Sequence, residues 1–372
     1  YYIKELAAPD GYVTDQEPQE FTFEYQGSGT SVAEYAFTFE DEQTTVELSK
    51  ADLTDKKELP GASLKVTDED GNTVDEWVSK EEAHIIKGLI VGKKYKMTET
   101  KPADGYVTAE SIEFTVENTK EVQKHQMLDD VTKVEISKKD ITDSSEVPGA
   151  KLIILDKDGK KVESWTSTDK PHMVEKLPVG EYTLREEQAP DGYLIAEDVK
   201  FTVKDTGKVQ KVKMKDAHPY GKLVIKKTDS TSKAALSGAE FELREKESGK
   251  VVEKLVTDKT GTATSGKIPI ATYKNGKVEK TVEYILVETK APNGYELSSK
   301  KEEIRFEYKD GKTKVIEIVK EIKNTKSPSG STPTGNSPKT GDSTNIWLPI
   351  LLAVLSACGI GGVIWYKKKK GN

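Results

Sequence analysis

The chain has 372 residues, of which 34% are hydrophobic and 33% are charged. So lean an apolar content cannot fill one large core, and it favours several small domains. The net charge is −7, with no basic concentration in the part predicted to fold, so nucleic acid is not an expected partner. The single cysteine, Cys358, excludes a disulfide framework and a cysteine-based zinc site. Four histidines without ligand spacing predict no metal and no other cofactor: His84, His125, His172 and His218.

A short turn sequence recurs four times along the chain. It reads APDGY or a close variant, at 8–12, 102–106, 189–193 and 291–295. Segments of the VELSKAD and LPGASLKV types precede the last three copies, and such internal repetition marks tandem structural units. We therefore predict three complete units, which we call repeat 1 (46–131), repeat 2 (134–219) and repeat 3 (222–325).

Residues 1–45 contain the turn sequence but no counterpart of the opening VELSKAD segment. We expect them to be the C-terminal part of a further repeat whose first half precedes Tyr1, and to be poorly ordered by themselves.

Within each repeat, apolar and polar residues alternate with a period of two over short runs separated by turns. The turn signals at 68–71 and 156–159 place glycine fourth, whereas a calcium-binding EF-hand loop needs it sixth, so hairpin turns are predicted. No long amphipathic helix pattern occurs. The predicted class is all-β, with small immunoglobulin-like β-sandwiches in tandem.

Charged residues extend the apolar face of three predicted strands in each repeat. Because side chains two positions apart on a strand share a face, Lys50 continues the face of Val46 and Leu48. Lys138 and Lys227 occupy the same place in repeats 2 and 3. The strand before each turn sequence ends its apolar face in a glutamate, and the closing strand ends in aspartate or asparagine: Glu5, Glu99, Glu186 and Glu288, and Asp41, Asp129, Asp216 and Asn324.

Such side chains are rarely buried unpaired, because desolvation of a charge is costly. Two structural explanations are strand-end side chains that reach solvent and buried salt bridges. A chemical explanation is that burial favours a neutral lysine amine, which attacks the nearby side-chain carbonyl while the glutamate transfers protons. The product would be an isopeptide bond formed once, without turnover, so we do not expect an enzyme.

With these residues, the repeats resemble the CnaB-type (SpaA-like, prealbumin-like) domains of Gram-positive pilins and surface adhesins. The Y-x-L-x-E…A-P-x-G-Y segment resembles the E-box of that family, whose isopeptide lysine sits in the opening K-x-D segment. The resemblance covers 1–325. It implies three cross-links with three promoting glutamates: Lys50–Asp129 with Glu99, Lys138–Asp216 with Glu186, and Lys227–Asn324 with Glu288.

Some of these assignments have a neighbour as a rival. Asp130 is an alternative to Asp129, whereas the period of two selects Glu186 over the adjoining Glu187. Glu5 and Asp41 belong to the incomplete unit, and their lysine is not in this chain.

The C-terminal region changes composition sharply. Residues 326–336 form a linker rich in Pro, Gly, Ser and Thr, and 346–366 is a run of 21 residues without a charge. As a helix this run is long enough to cross a bilayer, and the tetralysine at 367–370 is predicted to stay cytoplasmic.

The pentapeptide SPKTG at 337–341 precedes the apolar run. Pentapeptide, apolar span and basic tail in this order resemble the Gram-positive LPXTG-type cell-wall sorting signal, with Ser337 in place of the usual leucine. The resemblance implies that a sortase cleaves between Thr340 and Gly341 after a membrane-spanning stage and joins the chain to peptidoglycan. An ordinary tail anchor is the alternative.

The sequence thus predicts the structural stalk of a secreted, wall-anchored surface adhesin of a Gram-positive bacterium. One alternative is a sortase-polymerised pilin subunit joined to other subunits through a reactive lysine, for which Lys222 is the candidate, in a segment (219–222) predicted to be a linker. Another is a module that binds host extracellular matrix or glycan. Trp77 and Trp165 occupy equivalent places, which predicts packing rather than a sugar platform.

Overall fold

The computed structural model describes residues 1–29 and 31–328. Tyr1–Lys326 form one compact unit. Every regular element among the described residues is a β-strand, which confirms the all-β class. The linker from residue 329 onward, the SPKTG pentapeptide, the apolar run and the basic tail lie outside the described residues.

Across the part of the chain that the structure describes, there is no helix of the length and apolarity needed to span a membrane.

Repeat 1 folds into two facing sheets. The first has the strand order β6-β3-β9, and the second has the order β5-β4-β7-β8. The strands are β3 (Thr45–Asp52), β4 (Ser63–Thr67), β5 (Thr73–Val78), β6 (His84–Lys87), β7 (Lys94–Lys101), β8 (Ile112–Thr115) and β9 (Gln123–Asp129). Two short strands precede them, β1 (Tyr2–Ile3) and β2 (Gln19–Glu20).

Repeat 2 has the same arrangement, with sheets of order β13-β10-β16 and β12-β11-β14-β15. Its strands are β10 (Lys133–Asp140), β11 (Lys151–Leu155), β12 (Lys161–Thr166), β13 (His172–Glu175), β14 (Gly180–Gln188), β15 (Val199–Val203) and β16 (Gln210–Asp216).

Repeat 3 keeps the two sheets and adds a hairpin. One sheet pairs β17 with β20, β21 and β26, the other has the order β19-β18-β24-β25, and β22 pairs with β23. The strands are β17 (Tyr220–Asp229), β18 (Glu240–Glu245), β19 (Val251–Val256), β20 (Thr262–Thr264), β21 (Ile268–Pro269), β22 (Ala271–Lys274), β23 (Lys277–Thr281), β24 (Glu283–Lys290), β25 (Glu302–Arg305) and β26 (Val315–Asn324).

The core of each repeat lies between its two sheets, as the period-two pattern requires. In repeat 1, Val46 and Leu48 of β3 face Leu64 and Met97 of the opposite sheet. Trp77 packs against this core and stacks on His84 at 4.2 Å between ring centroids; Trp165 and His172 repeat the arrangement in repeat 2 at 4.4 Å. The two tryptophans therefore serve packing in the described structure.

The first and last strands of each repeat are parallel neighbours. β3 pairs with β9, and β10 and β17 pair with β16 and β26 in the same way. In repeat 1 the register sets Lys50 opposite Met127 and Asp52 opposite Asp129. Lys50 and Asp129 therefore share the core-facing side of one sheet, offset by one diagonal step.

Strand formation in 1–45 falls short of the prediction. The closing strand expected to end at Asp41 is missing, since residues 31–42 lie in no strand. The physical reason is the parallel pairing in the complete repeats, where the closing strand bonds to an opening strand that 1–45 does not contain. The end of the segment nevertheless has the same backbone bridge as repeat 1, since Tyr12 forms an antiparallel bridge with Gln43 as Tyr106 does with Val131.

Consecutive repeats meet in tight joints. Thr132, at the joint of repeats 1 and 2, donates its amide to Gly105 O at 3.0 Å and its hydroxyl to Leu177 O at 2.6 Å. At the joint of repeats 2 and 3, the β22–β23 hairpin docks on repeat 2, and Tyr273 donates its hydroxyl to Gly192 O at 2.8 Å. The linker predicted at 219–222 is wrong in part, because β17 begins at Tyr220.

Candidate isopeptide site in each repeat

The three predicted site residues of repeat 1 meet in its core. The side chains of Lys50, Glu99 and Asp129 are at most 1% exposed. Lys50 Nζ lies 2.9 Å from Glu99 Oε1 and donates to Asp129 Oδ1. Lysine and aspartate come from the same sheet, whereas the glutamate reaches across the core from β7.

Repeat 2 brings together the equivalent residues. Lys138 Nζ lies 3.0 Å from Glu186 Oε2 and contacts Asp216 Oδ1, and all three side chains are buried. Among the described residues, both carboxyl oxygens of Asp216 lack a hydrogen-bond partner with good geometry, and so does Asp129 Oδ2. Buried polar atoms without partners are costly, so a plain salt bridge satisfies these carboxyl groups poorly.

Repeat 3 differs in its acceptor. Lys227 Nζ lies 2.9 Å from Glu288 Oε1 and donates to Asn324 Oδ1. Asn324 Nδ2 in turn donates to Glu288 Oε1 and Oε2, at 3.0 and 3.1 Å. The amide is thus oriented with its carbonyl oxygen towards the amine and its nitrogen towards the glutamate.

A β-bulge and a backbone hydrogen bond position each glutamate. Glu99, Glu186 and Glu288 each lie beside a shift in register between their strand and its neighbour, which re-aims the side chain. Their Oε2 atoms accept the backbone N–H of the residue ten positions on, at 2.6, 2.6 and 2.9 Å.

Burial sets the protonation of the acceptor acids. It raises the pKa of Asp129 and of Asp216 to about 7, against the opposing effect of the adjacent lysine, and the nearby glutamate adds to the rise. Burial also lowers the pKa of Lys227, although Glu288 opposes the change. The first shift favours a neutral acceptor acid in repeats 1 and 2, and the second favours a neutral amine in repeat 3.

The rival residues lie elsewhere. Asp130 accepts from Lys133 Nζ at 2.8 Å, outside the core site. Glu187 faces Lys161 at the surface, 3.8 Å away. The structure thus brings Asp129 and Glu186, and not their neighbours, to the buried lysines.

The incomplete unit retains part of the arrangement. Glu5 Oε2 accepts the backbone N–H of Asp15 at 2.7 Å, again ten positions on. Asp41 has one buried carboxyl oxygen without a hydrogen-bond partner among the described residues. No hydrogen bond between Glu5 and Asp41 is found in the described part of the chain.

Lys222, the candidate for intermolecular linkage, lies in β17, and its Nζ is 2.9 Å from Glu317 Oε2. Thr340 and Gly341, the predicted sortase cleavage site, lie outside the described residues. In the described part of the chain no three His, Cys, Asp or Glu side chains converge as a metal site would need.

Sequence reasoning missed one feature beside the site. The aspartate of each K-x-D segment accepts a hydrogen bond from the tyrosine of the turn sequence: Asp52 from Tyr106, Asp140 from Tyr193 and Asp229 from Tyr295. Both partners belong to motifs that recur in all three repeats, and this joint recurrence is the signal that could have found the pair.

The chain was compared with known proteins. It is similar in structure to the Bacillus anthracis TIE protein, with 27% identity and a TM-score of 0.51 over 76% of this chain and 51% of that one. It therefore spans about half the length of that protein. No curated protein matches the chain.

Two pilin structures align over nearly their whole length, with lower scores. The major pilin BcpA of Bacillus cereus has 19% identity and a TM-score of 0.45, over 76% of this chain and 99% of that one. The major pilin SpaD of Corynebacterium diphtheriae has 18% identity and a TM-score of 0.36, over 77% and 98%.

The sequence model of the SpaA prealbumin-like fold domain matches three ranges, 44–130, 132–218 and 221–322. These ranges cover well over half of the chain, and the protein therefore belongs to the family of SpaA prealbumin-like fold domains.

Proposed function

We propose that the chain is the structural stalk of a Gram-positive surface protein, made rigid by self-formed isopeptide bonds within its repeats. The observation that carries this proposal is the threefold recurrence of a buried lysine amine against a buried aspartate or asparagine, with a buried glutamate touching the lysine. Strand-end charges would be exposed, and these are not.

The reaction balances with no further reagent. The neutral lysine Nζ attacks the side-chain Cγ of Asp129, Asp216 or Asn324, and the new N–Cγ bond replaces a bond from Cγ to oxygen or nitrogen. One water leaves from each aspartate and one ammonia from the asparagine. The glutamate takes the proton from the amine and delivers it to the leaving group. Because each reaction consumes its own residues, it occurs once.

Each bond would tie the first strand of a repeat to its last. Lys50 and Asp129 are 79 positions apart, and closing such a loop stabilises the folded state by about 4–5 kcal/mol on the chain-entropy account. A pulling force that enters along β3 would cross to β9 at the bond and leave after Asp129. The residues between them would carry no load, which suits a tension-bearing and protease-resistant stalk.

Attachment to the cell wall is the second part of the proposal. It is supported by the order of the SPKTG pentapeptide, the uncharged run and the basic tail at 337–370. A sortase would cleave between Thr340 and Gly341 and join the threonine carboxyl to peptidoglycan. The stalk would then stand outside the membrane that the precursor crosses.

Intact mass spectrometry of the full chain tests the cross-links. We expect the parent to be lighter than its sequence by two waters and one ammonia. Glu99→Ala, Glu186→Ala and Glu288→Ala should each lack one of these three losses and show the other two, after correction for the substitution. Glu187→Ala, one position from Glu186 but at the surface, is the matched control and should show all three losses. A parent of unshifted mass would refute the cross-links and leave buried, unreacted triads.

Incubation with a sortase and a peptidoglycan-type amine tests the attachment. The expected product ends at Thr340 and carries the amine, and Thr340→Ala should give none. Covalent multimers that disappear in Lys222→Arg would instead indicate a polymerised pilin. The absence of any cleavage would favour an ordinary tail anchor.

A further inference from the structure

A hydrogen-bonded pair of aspartate and tyrosine lies beside each candidate site and has no part in the chemistry described so far. Asp52 stands two positions after Lys50 on β3 and shares its face of the strand. Tyr106 donates its hydroxyl to Asp52 Oδ2 at 2.7 Å, and the pairs in repeats 2 and 3 do the same at 2.8 Å. All three aspartates are buried.

The other carboxyl oxygen of each aspartate holds the chain that leaves the opening strand. Asp52 Oδ1 accepts the N–H of Thr54 at 2.7 Å, and Thr142 and Thr231 donate to Asp140 and Asp229 at 2.6 and 2.8 Å. Burial favours a higher pKa for Asp52, but its hydrogen bonds outweigh burial and lower the pKa. Asp52 is therefore a fixed anion with both oxygens committed.

The turn that follows each aspartate also donates a backbone hydrogen bond to the acceptor residue. Leu53, directly after Asp52, donates its N–H to the backbone oxygen of Asp129 at 2.8 Å. Ile141 donates to Asp216 O at 3.0 Å, and Ser230 donates to Asn324 O at 2.9 Å. The aspartate thus fixes where the acceptor stands along the strand that faces the lysine.

The segment after the tyrosine hydrogen-bonds both to the end of the closing strand and to the glutamate. Val107, after Tyr106, donates to Asp130 O at 2.9 Å, and Ala109 donates to Glu99 Oε2 at 2.6 Å. The equivalent bonds recur after Tyr193 and Tyr295. The hydrogen bond between Tyr106 and Asp52 joins the segment that carries the lysine to the segment that carries the backbone donor of the glutamate, and the backbone bonds of Leu53 and Val107 tie both segments to the end of the strand that carries the acceptor.

We propose that Asp52, Asp140 and Asp229, each with its tyrosine, are positioning residues for isopeptide formation. The inference rests on the proposed function. The pair touches none of the reacting atoms; it holds the ends of the opening and closing strands in the register that puts the amine against the acceptor carbonyl. Misplacement of reacting groups by about 1 Å can slow a reaction on the order of a hundredfold.

The test compares bond formation among the repeats of a single chain. The full chain carrying Tyr106→Phe is synthesised and kept in urea, so that it has not yet folded. It is then diluted into buffer, and its proteolytic peptides are measured by mass spectrometry at intervals. We expect the bond of repeat 1 to form on the order of tenfold to a hundredfold more slowly, while those of repeats 2 and 3 keep the parental rate. Tyr95→Phe is the matched control, since Tyr95 is a buried tyrosine of the same repeat whose hydroxyl accepts the backbone N–H of Ile90 at 3.0 Å.

A second measurement separates positioning from folding. Hydrogen exchange of β3 and β9 is compared in Lys50→Met with and without Tyr106→Phe, where no bond can form. The proposal is supported if Tyr106→Phe leaves the exchange protection of β3 and β9 unchanged in the Lys50→Met background and slows bond formation in the chain that retains Lys50. An unchanged rate, or a loss of protection throughout repeat 1, would overturn it. If the parent itself shows no loss of mass, the proposed function fails instead, which is a distinct result.

Discussion

Repeats 1 and 3 hold a lysine and a glutamate in the same places but differ around them. The proposed acceptor of repeat 1 is Asp129, a buried acid whose second oxygen has no hydrogen-bond partner among the described residues. The proposed acceptor of repeat 3 is Asn324, whose amide nitrogen donates to Glu288. On the proposed chemistry the same geometry would serve two leaving groups, and of these two repeats only repeat 1 would need a proton on its acceptor before it reacts.

The two repeats also differ at the edge of the opening strand. The amide of Lys50 donates to the side chain of Glu58 at 3.2 Å, because β6 pairs with β3 only as far as Leu48. The amide of Lys227 instead donates to the backbone of Gly261 at 2.7 Å. The backbone amide of the lysine therefore has a hydrogen-bond acceptor in both repeats, a glutamate side chain in repeat 1 and a backbone carbonyl in repeat 3.

The largest effect should follow from removing the amine. Lys50→Met and Lys227→Met should each give a chain that shows two of the three losses of mass, and each variant repeat should lose about 4–5 kcal/mol of stability. Under force, repeat 1 should release 79 further positions, about 280 Å, and repeat 3 should release 97, about 340 Å.

Single-molecule extension measures this difference directly. Lys226→Met, next to Lys227 but exposed, is the control and should keep the parental extension. Equal extension in the parent and in both buried-lysine variants would show that the load is not carried by the bonds.

The pH dependence of bond formation should separate the repeats next. The pKa of Asp129 and Asp216 is raised to about 7, so the reactive acid persists up to neutral pH and is lost above it. From pH 6 to pH 8 the acid form falls about tenfold, which offsets the gain in neutral amine, so the bonds of repeats 1 and 2 should gain much less rate than the bond of repeat 3. Repeat 3 has no acid to lose at Asn324, and the lowered pKa of Lys227 means that its neutral amine, and its rate, increase with pH.

A chain synthesised and kept in urea, so that no bond has yet formed, is diluted into buffers of several pH values, and mass spectrometry of its proteolytic peptides gives the three profiles. Asn324→Asp is the decisive variant, because it should release water instead of ammonia and acquire the profile of repeat 1. Identical profiles in the parent repeats would mean that the protonation of the acceptor does not limit the reaction.

The sequence predicted best what lies on regular strands. Lys50 and Glu99 continue a period-two apolar face, so their positions follow from strand geometry alone. The hydrogen bond between Asp52 and Tyr106 was not predicted, because it joins a strand end to a turn, where no hydrophobic period applies. The prediction of a closing strand in 1–45 was wrong, because a strand also needs a partner strand to pair with. A local sequence pattern does not show whether such a partner is present.

The joints offer a third comparison, of Gly105 with Gly294. Both precede the tyrosine of the turn sequence at positive φ, +85° and +81°, which disfavours a side chain by about 1–2 kcal/mol. A Cβ on Gly105 would lie 2.4 Å from the backbone oxygen of Lys176 in repeat 2, whereas one on Gly294 would meet no described atom within 4 Å. Gly294→Ala should therefore cost local strain only, and Gly105→Ala should also open the joint.

Hydrogen exchange at the Thr132 amide, which donates to Gly105 O, reports the joint. We expect faster exchange there in Gly105→Ala and no change in Gly294→Ala. Unchanged exchange in both variants would mean that the joint adapts to a side chain.

The smallest effect concerns what covers the aspartate–tyrosine pair. Lys176 of repeat 2 lies over the pair of repeat 1, with Nζ 3.2 Å from Asp52 Oδ2 and donating to Tyr106 at 2.5 Å. Its side chain is 53% exposed, so solvent screens the charge and the contact should contribute about 0.2–1 kcal/mol. Lys176→Met should therefore slow the bond of repeat 1 by no more than about fivefold, measured by weighed peptides, and leave the other two unchanged. Lys170→Met, an exposed lysine of the same repeat, is the control. A much larger loss would show that repeat 2 must dock before repeat 1 can cross-link, and the tandem order would then set the order of the bonds.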